Sequence, residues 1–396
     1  MLTPNELLHI SEGAEQIAET LHINIIKRII ERIMLRIGRG EEYLLTSVDK
    51  WQIETLQQAG ILLEDIQKEI AKATNSQEKE IAEAMEDAGV RTLEYDDKIY
   101  RDVGLSPTPL RLSPELMRIA QRNYEATAGE LRNFTRTFAQ QSQQLFIKEC
   151  DRAYNLVSTG ALGYTQAVKE AVERIAKNGV VVTYPSGRKD TIETATLRAV
   201  RTGIAQMSGQ MQLKRMEEMQ HDKVIISSHL GARPSHAVWQ GKVFTMEQLR
   251  STAEGMPAYG TVTGLHGVNC RHSFSPFFEG MEDIFNDYDS EENRKQYAKE
   301  QRQRALERRI RNTKREVMGI KEALDVEKDQ QQKFKLDLLY QKKSYLLSQQ
   351  TKAYNEYCTQ NNLRPLADRI NIAKWDRQQA SASRGASKRY ENAKDK

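Results

Sequence analysis

The sequence predicts a mainly α-helical protein that carries one small α+β subdomain, and three observations predict it. Nine prolines and 22 glycines in 396 residues leave room for long uninterrupted helices. Apolar residues recur at three- and four-residue spacing through most of the chain, the period of a helix with one buried face. Residues 221–280 break that pattern: five of the seven histidines (His221, His229, His236, His266 and His272) fall there, among short branched runs and turn residues.

The first unit, residues 1–105, reads as helices. Thr3, Pro4 and Glu6 form a start signal, with a capping hydroxyl, a proline at the first helical position and an acid three after the cap. Ile17, Leu21, Ile25, Ile29, Ile33 and Ile37, reinforced by Ile26, Ile30 and Met34, make one buried stripe. Lys27, Arg28, Glu31 and Arg32 remain outside it. Shorter helices are expected near 47–59, 62–73 and 77–88, divided by Gly, Asn or Ser, before a linker with prolines at 107, 109 and 114. Residues 106–220 read as a second helical domain, running through 158, restarting at Thr165 and stopping at Asn178-Gly179. Inside it, branched residues flank a Pro/Gly turn near 180–192, which predicts a β-hairpin, and a strong helix follows from about 194 to 220.

Residues 221–285 form the turn-rich α+β module, with strands expected at Val224–Ser228 and Lys242–Phe244 and a short helix at Met246–Glu254. From 286 to 364 a long helix, or a pair, is expected, with Ile310, Val317, Leu324, Leu338 and Tyr345 in a seven-residue register that suggests a coiled-coil partner surface. Residues 365–396 are poor in apolar side chains and read as a disordered basic tail. Residues 301–396 hold 23 Lys+Arg against 12 Asp+Glu, so an anionic partner is expected there, double-stranded DNA first.

The widely spaced Cys150, Cys270 and Cys358 give no disulfide framework. The opening MLTPNELLHISEGAEQ lacks the basic and apolar regions of a secretory signal, and no apolar run approaches membrane-spanning length. Neither a phosphate-binding loop nor a dinucleotide fingerprint occurs.

Zinc is the sharpest chemical reading. His229 and His236 lie seven residues apart and Cys270 and His272 two apart; these four donors make a tetrahedral set if the loop folds back. Their spacing matches no common paired zinc pattern, so the same side chains also read as a hydrogen-bonded brace in a compact fold. The sequence leaves both readings open and implies no other cofactor. A metal-dependent nuclease or hydrolase centred on His236, Cys270 and His272 is the alternative function. Such chemistry needs placed carboxylates or an activated nucleophile, and Asp222, Glu247, Glu254 and Glu279 form no carboxylate pair. No catalytic residue is assigned. Trp239 is expected to pack as a local core over the loop that carries Arg233 and His236.

The two stretches HLGARPSHAVWQGKVF and GLHGVNCRHSFSPFFEG together resemble the phage minor capsid protein 2 family of tailed bacteriophages, and more distantly the Mu F-like head morphogenesis domain. The shared pattern is Arg-x-x-His, a glycine turn, and Gly-x-Asn-Cys-Arg followed by Cys or His. Arg233, His236, Gly241, Gly267, Asn269, Cys270, Arg271 and His272 fill those places. Position 272 departs from the broader family, which often has Cys there, and so weakens a zinc argument borrowed from a Cys pair. LTPNEL, EDAGVRTLEYDDKIY and the hairpin are similar to the same branch, which extends the resemblance over roughly 1–285. It implies a structural protein of the virion, assembled in the host bacterial cytoplasm, bound to portal and capsid protein, and acting in head assembly and DNA packaging or delivery.

Overall fold

The computed structural model describes residues 1–184, 186–281 and 285–394, without the side chain of Arg111. Pro185, expected in the hairpin turn, lies outside the described residues, as do 282–284 and 395–396. The protein is 72% helical, with a two-stranded and a three-stranded antiparallel sheet among the described residues. The chain forms two compact units, each built from three stretches: 1–15, 74–133 and 194–301 in the first, and 16–73, 134–193 and 302–396 in the second. The helices are α1 (Pro4–His9), α2 (Glu12–Ile37), α3 (Glu41–Leu44), α4 (Val48–Asp102), α5 (Pro114–Ser158), α6 (Tyr164–Asn178) and α7 (Ile192–Glu218), then α8 (Pro234–Ala237), α9 (Met246–Arg250), α10 (Ser290–Val326), α11 (Gln330–Gln360), α12 (Ala367–Ile370) and α13 (Arg377–Lys394).

In the second unit the isoleucine stripe of α2 lies where its period places it. Ile25, Ile29, Ile30, Ile33 and Ile37 are fully buried, while Arg28 is exposed and Lys27, Glu31 and Arg32 are half-buried. Arg36 on this helix is buried as well: it stacks 3.6 Å over the Trp51 ring, and donates to Thr55 Oγ1 at 3.1 Å and to the Trp51 carbonyl at 3.1 Å. Cation–π contact, these two hydrogen bonds and the Glu54 carboxylate, 3.6 Å from Nη1, offset the cost of taking a guanidinium out of water. The hairpin is present as β1 (Val182–Thr183) and β2 (Lys189–Asp190), with Val182 opposite Asp190.

Three sequence expectations change. The separate helices at 47–59, 62–73 and 77–88 are one 55-residue helix, α4, which runs on to Asp102. Gly60 sits in it with open space around its Cα, so it costs only its intrinsic propensity, about 1 kcal/mol, and does not break the helix. The seven-residue register fails at the turn between α10 and α11, where Asp329 caps α11 by accepting from Gln332 N–H. Ile310, Val317 and Ile320 are buried, but Phe334 and Leu338 are exposed, and α11 buries Leu336, Leu339, Tyr340 and Leu347 instead. The pairs Gln303–Cys358, Glu307–Tyr354 and Glu316–Lys343 show α10 and α11 running antiparallel. The expected disordered tail is helix α13, packed along α11. Its buried positions are Ser383, Ala386 and Ser387, so close approach of small side chains holds it in place of a conventional apolar stripe.

In the first unit, β3 (Lys223–Ile226) is the centre of a sheet ordered β4-β3-β5, flanked by β4 (Val243–Thr245) and β5 (Phe274–Pro276), both antiparallel to it. The core against this sheet contains Tyr100 from α4, Leu213 and Met216 from α7, Val224, Ile226, Trp239, Phe244, Leu249, Leu265, Cys270 and Phe274. Sequence-distant helices and strands therefore close one small apolar core, with Trp239 fully inside as its aromatic bulk predicts.

Candidate functional site

The central position of β3 brings the two motif halves together. Ile226 pairs with Phe274 of β5, and just beyond the paired residues Ser227 N–H donates to Ser273 O at 2.9 Å while Ser273 N–H donates to Ser227 Oγ at 3.0 Å. On the other side, Gly241 N–H donates to the Ile226 carbonyl at 3.0 Å, closing the loop that holds α8. Gly241 takes φ +72, a left-handed conformation that favours glycine. His236 stands on the single turn of α8, started by Pro234, and Cys270 and His272 alternate with Arg271 on the extended approach to β5.

Gly267 and Asn269 shape the second half. A Cβ on Gly267 would lie 2.2 Å from the Thr261 carbonyl, so only glycine fits. Asn269 takes φ +58, which Asn tolerates better than most residues, and Cys270 N–H then donates to the Gly267 carbonyl. Arg233 bridges the halves by donating to the Val268 carbonyl at 2.7 Å, and Arg271 reaches Glu300 at 3.6 Å.

Three of the four expected metal donors converge. His236, Cys270 and His272 are all buried, and one donor atom from each lies within 4.8 Å of the others. His236 Nδ1 is 3.3 Å from His272 Nδ1, and Cys270 Sγ is 3.9 and 3.7 Å from those two atoms. His229 stands beside this trio and outside it: its ring stacks on His272 at 4.6 Å, and its Nδ1 lies 3.1 Å from the Leu230 carbonyl. His266 stacks on Phe274 in a space left open by Gly209, where a Cβ would meet the imidazole at 2.3 Å.

Burial dominates the electrostatics. It lowers the His236 pKa to about 4, against the opposing bond to Thr263, and lowers His266 to about 3. His272 is held well below the usual histidine range by burial and then by neighbouring His229 and His236. Burial also raises the Cys270 thiol, outweighing backbone contacts that favour the thiolate. The resting cluster is thus a thiol beside neutral imidazoles, the opposite of the exposed, electropositive setting that activates a cysteine nucleophile. Neutral imidazole nitrogens, with the Cys270 sulfur once it gives up its proton, suit a borderline-soft metal.

Two positioning residues lay inside or near the motif without being singled out from sequence. Gln240 Oε1 accepts from His229 N–H and meets His272 Nε2, each at 3.1 Å. Asn293, buried at the start of α10, accepts from Gly231 N–H and Ala232 N–H and donates back to the Ala232 carbonyl. A glutamine inside the motif was a readable signal, but nothing in the sequence marks an asparagine 61 residues from Ala232 as its partner.

Residues 2–348 match the family described as phage minor capsid protein 2. The chain belongs to the phage minor capsid protein 2 family. This minor capsid protein is also similar to a protein named "Structural protein" from Lactococcus phage LL-H, 23% identical over 287 residues that cover 67% of this chain and 76% of the relative. No solved structure matches it. The minor capsid protein is accordingly a structural component of a phage virion, where other virion proteins are its neighbours. None of its described helices is long and apolar enough to cross a membrane.

Proposed function

We propose that the protein is a non-catalytic minor head component, bound to portal and capsid protein, that acts in head assembly and in DNA packaging or delivery. The family match across residues 2–348 carries this reading, because it takes in most of both compact units and is not confined to the motif. Burial of His236, Cys270 and His272, a trio that holds no carboxylate, supports the absence of turnover. Exposed apolar side chains support protein partners: Ile53, Leu56 and Ile61 lie along one side of α4, and Phe334 and Leu338 lie one turn apart on α11. The test is co-purification with the portal protein of the same phage, alongside protein analysis of mature virions and of heads made when this gene is blocked by a stop codon. Portal capture that survives Ile53→Glu with Leu56→Glu and Phe334→Glu would contradict these faces. Normal, filled, infectious heads without the protein would sink the assembly role.

A DNA contact has its own observation. Arg377, Arg384 and Lys388 are exposed on α13 at spacings of seven and four residues, which places them along one face. Phosphates on duplex DNA suit such a row. The intact protein should bind duplex DNA at low salt, and Arg384→Glu with Lys388→Glu should flatten the log–log salt slope by roughly one to two units. Binding that is absent at low salt, or a slope that the double variant leaves unchanged, rejects this contact.

A further inference from the structure

The hydrogen bonds around His236 and His272 leave two lone pairs facing one another. His229 N–H donates to Gln240 Oε1 at 3.1 Å, which fixes the amide oxygen at that place. The same oxygen lies 3.1 Å from His272 Nε2, so Nε2 of His272 carries the hydrogen. His236 Nε2 lies 2.7 Å from the Thr263 carbonyl and carries its hydrogen for the same reason. In a neutral imidazole the second nitrogen is then an acceptor. Both Nδ1 atoms are therefore acceptors, 3.3 Å apart and buried, and the single Cys270 S–H can serve only one of them. Hydrogen bonding alone leaves the cluster unsatisfied, which is costly in a buried site.

We propose that His236 Nδ1, Cys270 Sγ and His272 Nδ1 bind one zinc-class divalent ion as three protein donors of a tetrahedral set. Bond lengths of about 2.05 Å to nitrogen and 2.3 Å to sulfur put tetrahedral donors roughly 3.4 Å (N to N) and 3.6 Å (N to S) apart. The observed 3.3, 3.7 and 3.9 Å match within a few tenths of an ångström. The Thr263 carbonyl and Gln240 Oε1 are the outer acceptors that orient metal-binding imidazoles and fix their tautomers. No carboxylate belongs to the trio, which disfavours magnesium or calcium. On binding, the Cys270 S–H bond breaks, a sulfur–metal bond forms, and the proton leaves to solvent. The ion would tie α8 to the approach of β5, two segments joined by a long turn-rich loop, so its role is to lock the module.

The test uses the full chain, purified without added metal, then loaded with zinc or cobalt(II) and desalted. About one equivalent of zinc should remain per chain, and cobalt should give the near-ultraviolet thiolate band and visible bands of a tetrahedral site. Cys270→Ser should lose the thiolate band, and Cys358→Ser, in the other unit, should keep it. Gln240→Leu should weaken cobalt binding roughly 10- to 100-fold through misorientation of His272. A strong chelator should lower the melting temperature of the wild-type protein, and zinc should restore it, so a variant that fails to fold does not leave the question open. Retention below roughly a tenth of an equivalent after loading, an octahedral cobalt spectrum, or a thiolate band that survives Cys270→Ser would overturn the site.

Discussion

Glu193 and Arg315 form a buried ion pair, and His22 Nδ1 lies 2.9 Å from the other oxygen of the same carboxylate. Burial opposes ionisation of Glu193, but Arg315 and then His22 outweigh it and hold the carboxyl well below its usual range. Arg315 also reaches Glu19 at 3.3 Å, and Glu19 accepts from Ala373 N–H at 2.9 Å, so one network joins α2, α7, α10 and the segment before α13.

Removing one partner strands the other charge. Glu193→Gln should destabilise the second unit by about 3–5 kcal/mol, whereas Glu193→Gln with Arg315→Met should cost less than the sum of the single changes. Because the folded pKa is depressed, the Glu193 contribution is complete above the unfolded value of about 4.3 and fades as pH falls below it. Urea midpoints measured from pH 7 to pH 3 should fall less steeply for Glu193→Gln. Parallel curves would reject the pair as a source of acid sensitivity.

Two helical glycines should respond with opposite signs. Gly60 faces open space, so Gly60→Ala should raise stability by about 0.5–1 kcal/mol. Gly319 sits where α10 meets α2 and α6: a Cβ there would lie 2.9 Å from Ile30 Cδ1 and 3.0 Å from Ala176 Cβ. Overpacking of about 1–3 kcal/mol should exceed the propensity gain, so Gly319→Ala should lower the melting temperature. Chemical denaturation of both variants checks the pair, and a stabilised Gly319→Ala would show that these helices can move apart.

The same physics explains what was legible in the sequence. The stripe on α2, the hairpin and the strands at 224 and 243 follow from local period and turn chemistry, and all are present. Convergence of His236 with Cys270 and His272 was readable because the motif fixes its own turns, through Gly241, Gly267 and Asn269. Local rules failed where tertiary packing decides. Gly60, Asn75 and Ser76 weaken a helix without ending it when neighbours hold both flanks, so α4 continues. The tail looked disordered because it lacks apolar residues, yet small side chains at 383, 386 and 387 let α13 settle closely on α11. His229 joined the expected donors by spacing alone, and spacing carries no information on where its ring turns.

The Gly267 turn offers a direct check on the motif as a folded brace. Gly267→Ala would drive its Cβ to 2.2 Å from the Thr261 carbonyl and 2.6 Å from the Val262 carbonyl, both backbone atoms that cannot swing away. A loss of about 2–3 kcal/mol is expected, with weaker amide-exchange protection at Val268 and Cys270, whose N–H groups close this loop. Unchanged protection there would mean the turn opens at little cost.

Asp96 supplies a pH dependence of the reverse sign. It is fully buried in the first unit, and burial raises its pKa to about 7 against the favourable bond from Gln212, with the Met1 amino group and Arg215 also lowering it and Asp97 raising it. Its Oδ1 has no hydrogen-bond partner, as suits a carboxyl kept neutral. A folded pKa above the unfolded value of about 3.9 gives stability that is complete below pH 4 and is lost as pH rises through about 7. Asp96→Asn keeps an acceptor for Gln212 and carries no charge to bury. Its stability relative to the wild-type chain should therefore improve by a few kcal/mol between pH 5 and pH 8, read from urea midpoints at the two values. A constant difference between the two proteins across that range would mean that Asp96 does not titrate there.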